Sequence, residues 1–395
     1  MNSFQKFTCF LFVTLAQMKS YAVPNQNKKI DDLAQNFMSQ NKVPGMSIAV
    51  LNQDKTLLFN YGSANETEKI KVTSDTIYTI ASFTKTFTAS LSAVASVEGK
   101  LNLDDSISRN FSELKKSSAF QKITARELLG HVSSLPFDFD PSPKTYEEFI
   151  KDLNQWVPNR LPGTAYQYSN IGIGLMGYVL QKIYTQNYEN LLKNKILNPL
   201  NMNSTYLNLP MEKEKYLTMG HDKNNTIVPY RKEVGLMFAA GALKSTIADM
   251  SKYLNAQMNP STLKNTNLSK AISIVHENQY CFENKKDCEQ LAWQAHIISE
   301  LKNVTNGGDS LFINYDGNGN GNGNGNPLFA QNKKIIPYKS FSKNKIFIDK
   351  TGSGYGMSSY MAYIPDQKRG IVILLNKVIG DERIQLGRNI LLLNK

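Results

Sequence analysis

Strand-like runs lie at both ends of this 395-residue chain, and the long stretch between them reads mainly as helix. Met46–Leu51 and Thr56–Tyr61 flank the polar turn Asn52-Gln53-Asp54-Lys55, the signature of a hairpin. Near the other end, Lys345–Lys350, Ser359–Ile364 and Gly370–Leu375 read as three antiparallel strands. The last two are joined by Pro365-Asp366-Gln367-Lys368-Arg369, and Glu382–Leu393 reads as a closing helix. Strands need partners, so this arrangement predicts one antiparallel sheet built from both chain ends and flanked by helices, an α/β (α+β) architecture with a mainly helical subdomain beside it. The expected sheet region covers about residues 23–80 and 340–395, the helical region about 81–260, and a variable region about 260–340, all within a single domain over 23–395.

Shorter signals fill in the order of elements. Asp31–Gln40 has helical spacing, with Leu33, Phe37 and Met38 on one side, and Val43-Pro44-Gly45 ends it. Prolines at 136, 141, 143, 158 and 162 break the helical middle, where Ile171–Ile183, Tyr188–Ile196 and Thr246–Met258 are helix candidates. The Gly/Asn alternation Gly317–Asn326 has nothing to bury, and is expected to be a mobile surface loop.

Residues 1–22 read as a secretory signal: Lys6 supplies the positive start, Phe7–Ala16 the short apolar core, and Ser20-Tyr21-Ala22 a small-x-small cleavage site. That core is too short to span a bilayer and no later stretch is long enough, so export with cleavage near Ala22 is expected, with no integral membrane segment afterwards. Cys9 leaves with the signal. Cys281 and Cys288, seven residues apart, are compatible with one local disulfide in an exported protein. The four histidines (131, 221, 276, 296) are scattered, and no metal or other cofactor is implied. The formal charge of +12 falls to +10 once Lys6 and Lys19 are gone, and it is spread along the chain rather than gathered into a stripe, which argues against nucleic-acid binding. No exposed apolar repeat or heptad stands out, so a monomer is expected.

The chemistry begins at Ser82-Phe83-Thr84-Lys85, followed by the mostly apolar run Phe87–Val97, which exits at Glu98-Gly99-Lys100. Helical spacing places Ser82 and Lys85 on one face, one turn apart, with Ser82 in the first turn, where unpaired N–H groups and the helix dipole favour negative charge. Ser-x-x-Lys recurs at Ser39, Ser112 and Ser299, so the pattern alone does not choose. Apolar, β-branched flanks mark Ser82, because they would desolvate Lys85 and favour a neutral amine. Two further signals follow. Tyr168-Ser169-Asn170 lies between a Pro-Gly turn and a helix, and Lys350-Thr351-Gly352-Ser353 ends a strand and opens a glycine-rich turn. Gly172-x-Gly174-x-x-Gly177 fits a dinucleotide-binding pattern, but no apolar strand precedes it, and tight helix packing accounts for it better.

In this order and these contexts the three motifs resemble those of the serine β-lactamase and penicillin-binding protein superfamily, with the class C β-lactamases most alike. The likeness runs from about residue 28 to 394 and includes Gly99-Lys100-Leu101, Leu128-Leu129-Gly130-His131, Ser134-Leu135-Pro136, Lys244-Ser245-Thr246 and Leu375-Asn376-Lys377. The resemblance implies a periplasmic hydrolase that opens β-lactam rings through a Ser82 acyl-enzyme. Tyr168, with an ordinary pKa of about 10, would take the proton with help from the charges of Lys85 and Lys350, or Lys85 itself would be the base and Tyr168 a relay. The backbone N–H groups of Ser82 and Ser353 would form an oxyanion hole beside Gly352. Asn170 would hold the substrate's side-chain amide, and Lys350, Thr351 and Asn376 its carboxylate. Two departures bear on substrate choice. Asp138 stands where class C enzymes usually carry a glutamine near the substrate side chain, and Ala239-Ala240-Gly241-Ala242-Leu243 replaces a segment that usually carries a pocket-lining tyrosine. The small-residue run is closer to related esterases and DD-peptidases, which makes such an activity the rival expectation.

Overall fold

The structure, a computed structural model, describes residues 23–282, 287–299, 333–337 and 346–393. The expected signal over 1–22 and the Gly317–Asn326 loop lie outside the described residues. The first helix runs Val23–Asn41, longer than the periodic stretch from Asp31 predicts.

The hairpin and the three C-terminal strands form where expected: Gly45–Asn52 pairs with Lys55–Asn65 and, on its other side, with Arg369–Leu375. Met357–Ile364 follows, then Ile346–Gly354. The two ends of the chain are thus zipped together in the middle of the sheet, Ile48 facing both Phe59 and Ile373. The sheet continues further than the terminal strands. Beyond Ile346–Gly354 come Gln294–Ile297, Asp287–Glu289, Tyr280–Phe282, Lys333–Pro337 and Ala165–Tyr166, and with Ile70–Lys71 beside Lys55–Asn65 at the other edge this sheet has 11 strands among the described residues. The region between 260 and 340 therefore supplies four sheet strands, and the helical middle supplies one. These additions are two to five residues long, too short for alternation to register. Cys281 lies opposite Cys288 on adjacent antiparallel strands, and the two are joined in a disulfide.

Gly45–Leu51 and Arg369–Leu375 are buried at every position, since both sheet faces are covered. On one face Ile48, Ile371 and Ile373 pack with Ile30, Phe37, Ile384 and Ile390 of the two terminal helices. On the other, Ala49, Val372 and Leu374 pack with the helical layer. At the centre of that layer is the helix Thr84–Val97, buried from Thr84 through Ala95. A helix enclosed on all sides must satisfy its polar side chains internally. Thr86 bonds to the Phe83 carbonyl, Ser92 to that of Thr88, and Thr88 to that of Ala239. Gly99, at φ +69°, ends the helix: its N–H and that of Lys100 return to the Ser96 and Ala95 carbonyls, a Schellman exit. The glycines of Asn170–Tyr184 face helix-packing contacts, as expected. A Cβ on Gly174 would lie 2.5 Å from Met237 Sδ, and one on Gly177 2.5 Å from Ala239 Cβ.

Candidate active site

Ser82 occupies a short 3-10 turn, Ala81–Phe83, immediately before the helix rather than inside it. Ala81 holds φ +46° with a side chain present, a left-handed conformation that costs on the order of 1 kcal/mol. The turn is pinned by strand Ile346–Gly354, which passes so close that a Cβ on Gly352 would sit 2.6 Å from the Ile80 oxygen and 3.2 Å from the Ser82 nitrogen. Gly352 is therefore required for close approach, which brings the backbone at Ser353 to the edge of the cleft that Ser82 lines. The strand runs through the Lys350-Thr351-Gly352 motif to Gly354, so the turn comes later than expected. It is Tyr355-Gly356, with φ +56° and +74°, in the manner of a type I′ hairpin.

Lys85 Nζ lies 3.1 Å from Ser82 Oγ, 2.7 Å from Asn170 Oδ1 and 2.7 Å from the Ala240 carbonyl oxygen. An ammonium satisfies all three. A neutral amine can too, by donating twice to the carbonyl oxygens and accepting the serine proton, so the geometry suits a group that passes a proton. Asn170 is held in turn. Its Nδ2 donates to Asp138 Oδ2 at 3.2 Å, and its backbone N–H donates to the Phe137 carbonyl. It begins the helix Asn170–Tyr184, for which buried Ser169 is the N-cap, accepting from Gly172 N and donating to the Pro136 carbonyl.

Tyr168 precedes that cap. Its ring stacks on His131 at 4.2 Å, and the Nζ atoms of Lys85 and Lys350 lie 4.9 and 5.1 Å from its centre. Hydroxyl, phenol and both amines, spread over residues 82 to 350, are thus neighbours. His131 Nδ1 accepts from the Ser169 N–H, which leaves the imidazole neutral with its proton on Nε2. Burial, and then the charges of Lys85 and Lys350, hold its pKa well below the ordinary histidine value. A third cation is thereby kept out of the site. Burial pushes the Asp138 carboxyl up to about 6, opposed by its bond from Asn170 and by Lys85.

Ser82, Lys85, Asp138, Asn170 and Ser353 line a cleft of about 590 Å³. Lys350 and Thr351 are buried behind it. Asn376 is the exception among the expected substrate contacts. It is fully buried, its Oδ1 accepts from Gly45 N at 2.7 Å, and its Nδ2 donates to the Ser63 carbonyl and to Thr218 Oγ1, both at 3.0 Å. The side chain joins the first hairpin to its neighbours through these three bonds. Conversely, motif reading missed the Ala240 carbonyl, a backbone group with no residue-type signature, as well as His131 beneath Tyr168 and Tyr355 on the cleft wall. His131 was visible within the Leu128-Leu129-Gly130-His131 likeness but with no role attached, and Tyr355 only as an aromatic between two glycines.

A family profile described as Beta-lactamase matches residues 30–395. A β-lactamase from Providencia stuartii is 29% identical over 380 residues, covering 96% of this chain and 94% of that protein. One from Escherichia coli K12 is 27% identical over 379 residues, covering 95% of each. Among solved structures, a class C β-lactamase superposes with a TM-score of 0.81 at 29% identity, covering 93% of this chain and 97% of that one. Another, in complex with cefoxitin, gives the same score and identity and is covered to 98%. With hydroxyl, amine and amide aligned in the cleft and this breadth of agreement, the chain belongs to the β-lactamase family, its fold that of the class C enzymes.

Proposed function

We propose that the mature chain hydrolyses β-lactam antibiotics in the periplasm, as a monomer, through an acyl-enzyme on Ser82. The observation that carries this is the 3.1 Å approach of Lys85 Nζ to Ser82 Oγ at the wall of an open cleft. Ser82 Oγ attacks the lactam carbonyl while its proton passes to Lys85 or, through it, to Tyr168. The N–H groups of Ser82 and Ser353 receive the developing oxyanion. The ring C–N bond then breaks, and the nitrogen takes the proton back from the Tyr168–Lys85–Lys350 group. Water attacks the resulting ester by the same route in reverse and frees Ser82. Asn170 Nδ2 keeps a second hydrogen beyond its bond to Asp138, and directs it at the acyl side-chain amide. Lys350 and Thr351 supply the cation and hydroxyl for the carboxylate.

Nitrocefin turnover by the purified mature chain, followed alongside intact-mass detection of the adduct, tests the proposal. Rapid multiple turnover with a transient adduct is expected, and Ser82→Ala should abolish both. An adduct on Ser82→Ala would remove Ser82 as nucleophile. Tyr168→Phe should slow acylation by a factor on the order of 10² to 10⁴, and an unchanged rate would take Tyr168 out of proton transfer.

One observation favours a second reading, a DD-peptidase or esterase on the same scaffold. Gly241 lines the cleft, and a Cβ built on it meets nothing within 4 Å, so this wall is open where a large side chain would narrow it. That activity would leave a persistent penicillin adduct while a D-Ala-D-Ala peptide or short ester turned over.

A further inference from the structure

Asp138 is the anion placed directly against the residue that would hold the substrate's side-chain amide. Its carboxylate accepts from Asn170 Nδ2, while Asn170 Oδ1 is committed to Lys85. The orientation of the Asn170 amide is therefore set from both ends, with nitrogen toward the carboxylate. A side-chain amide oxygen bound to that nitrogen lies within about 6 Å of Asp138 Oδ2, the 3.2 Å bond plus one more of ~2.9 Å, and an α-substituent three bonds beyond that oxygen comes within about 10 Å. Burial pushes the carboxyl up to about 6, so most molecules carry the charge at pH 7.5.

The other charged side chains on the cleft wall are Lys85, Asp140, Lys144 and Arg231. Lys85 is occupied by Ser82, Asn170 and the Ala240 carbonyl. Asp140 and Lys144, further along the same loop, oppose each other in sign, and Arg231 comes from the segment before Phe238–Gly241. The open wall at Gly241 leaves room for a substituent to be accommodated rather than excluded by size.

We propose that Asp138 makes the cleft select β-lactams by the charge of the acyl side chain, favouring a cationic α-substituent and rejecting an anionic one. This rests on the β-lactam reading above and on Asn170 as the amide-binding residue. The test compares kcat/KM for ampicillin and carbenicillin, which share the phenyl side chain and differ in bearing an α-ammonium or an α-carboxylate. Benzylpenicillin, with neither, is the reference. Coulomb interaction at this separation, damped by partial solvation, predicts a wild-type preference for ampicillin on the order of tenfold to a hundredfold. Asp138→Asn should cut that ratio about tenfold or more, chiefly by improving carbenicillin, and Asp138→Gln should do the same. Asp140→Asn should leave the ratio within about twofold, because Asp140 does not bond Asn170. A wild-type enzyme that turns over carbenicillin as well as ampicillin overturns the proposal without any variant. So does a ratio that survives Asp138→Asn. If none of the three penicillins is turned over or forms an adduct, the β-lactam reading itself has failed, which is a separate outcome.

Discussion

The residues that do chemistry and those that hold the site together differ here by what their side chains face. Ser82, Lys85 and Asn170 were legible as candidate-site residues from local context alone: the start of a buried helix, one helical turn of spacing, and the position after an N-cap serine. Asn376 was read from the same kind of evidence but sits in a different environment. A polar residue at the end of an apolar strand reads equally as a ligand contact or a buried cross-link, and only the positions of Gly45, Ser63 and Thr218 decide. Asn376→Ala would strand a buried N–H and weaken two further partners, at a cost of about 2–3 kcal/mol. Urea unfolding should register that loss, while KM for penicillins should stay within about threefold of wild type. A tenfold rise in KM with stability unchanged would restore Asn376 to the substrate.

At the scale of elements, the terminal strands were readable because they are seven to eleven residues long, bounded by turns and joined by short connections. The strands contributed by residues 280–297 and 333–337 were not, because tertiary pairing rather than pattern makes them strands. The disulfide supplies part of what pattern lacks, tying Tyr280–Phe282 to Asp287–Glu289. The helix behind Ser82 presents the opposite case: its apolar run announced a buried helix, and its packing sets the site. Phe87, fully buried, stacks on Tyr253 at 3.9 Å with the rings 14° apart. Phe87→Ala should cost about 3–5 kcal/mol, the usual price of a large core cavity. Because Phe87 follows Lys85 by two residues, activity measured well below the melting point should also fall. Full activity with a lowered Tm would mean that the turn at Ser82 is held by the strand at Gly352 alone.

For the whole molecule, the question is what fastens the sheet once its two ends have met. His296 lies between two carboxylates, Nδ1 at 2.6 Å from Asp287 and Nε2 at 3.1 Å from Asp349, while Asp349 Oδ2 also bonds Arg388 at 3.0 Å and Tyr360 at 2.9 Å. One cluster thus joins the strand at Gln294–Ile297, the two strands of the C-terminal hairpin and the last helix. Burial opposes charge on His296, but the two carboxylates outweigh it and push its pKa up to about 9. Asp349 is held below the ordinary carboxylate range, where burial is overcome by His296 and Arg388. A histidine raised above its unfolded value contributes stability in full below about 6.5 and loses it as pH rises through about 9. The lowered carboxyl works at the other edge, contributing above its ordinary pKa and losing that contribution in acid. Asp138, raised to about 6, adds a decline between about 4 and 6, since its folded form binds the proton more tightly. The His296 contribution should therefore fall by up to about 3 kcal/mol between about pH 6.5 and 9.5. Buried Lys244, its pKa lowered to about 8, works against that fall at the alkaline end, and buried His131 and His276, held below the ordinary histidine value, make acid solution destabilising. Guanidinium unfolding midpoints collected from pH 5 to 9.5 would trace that slope. In His296→Gln, which keeps hydrogen-bonding capacity but carries no charge, the protein should be less stable at pH 6 and should lose the fall that His296 gives wild type as pH rises through about 9. The same slope in wild type and variant would mean that another group titrates there, and that the fastening at Asp349 rests on Arg388 without the histidine.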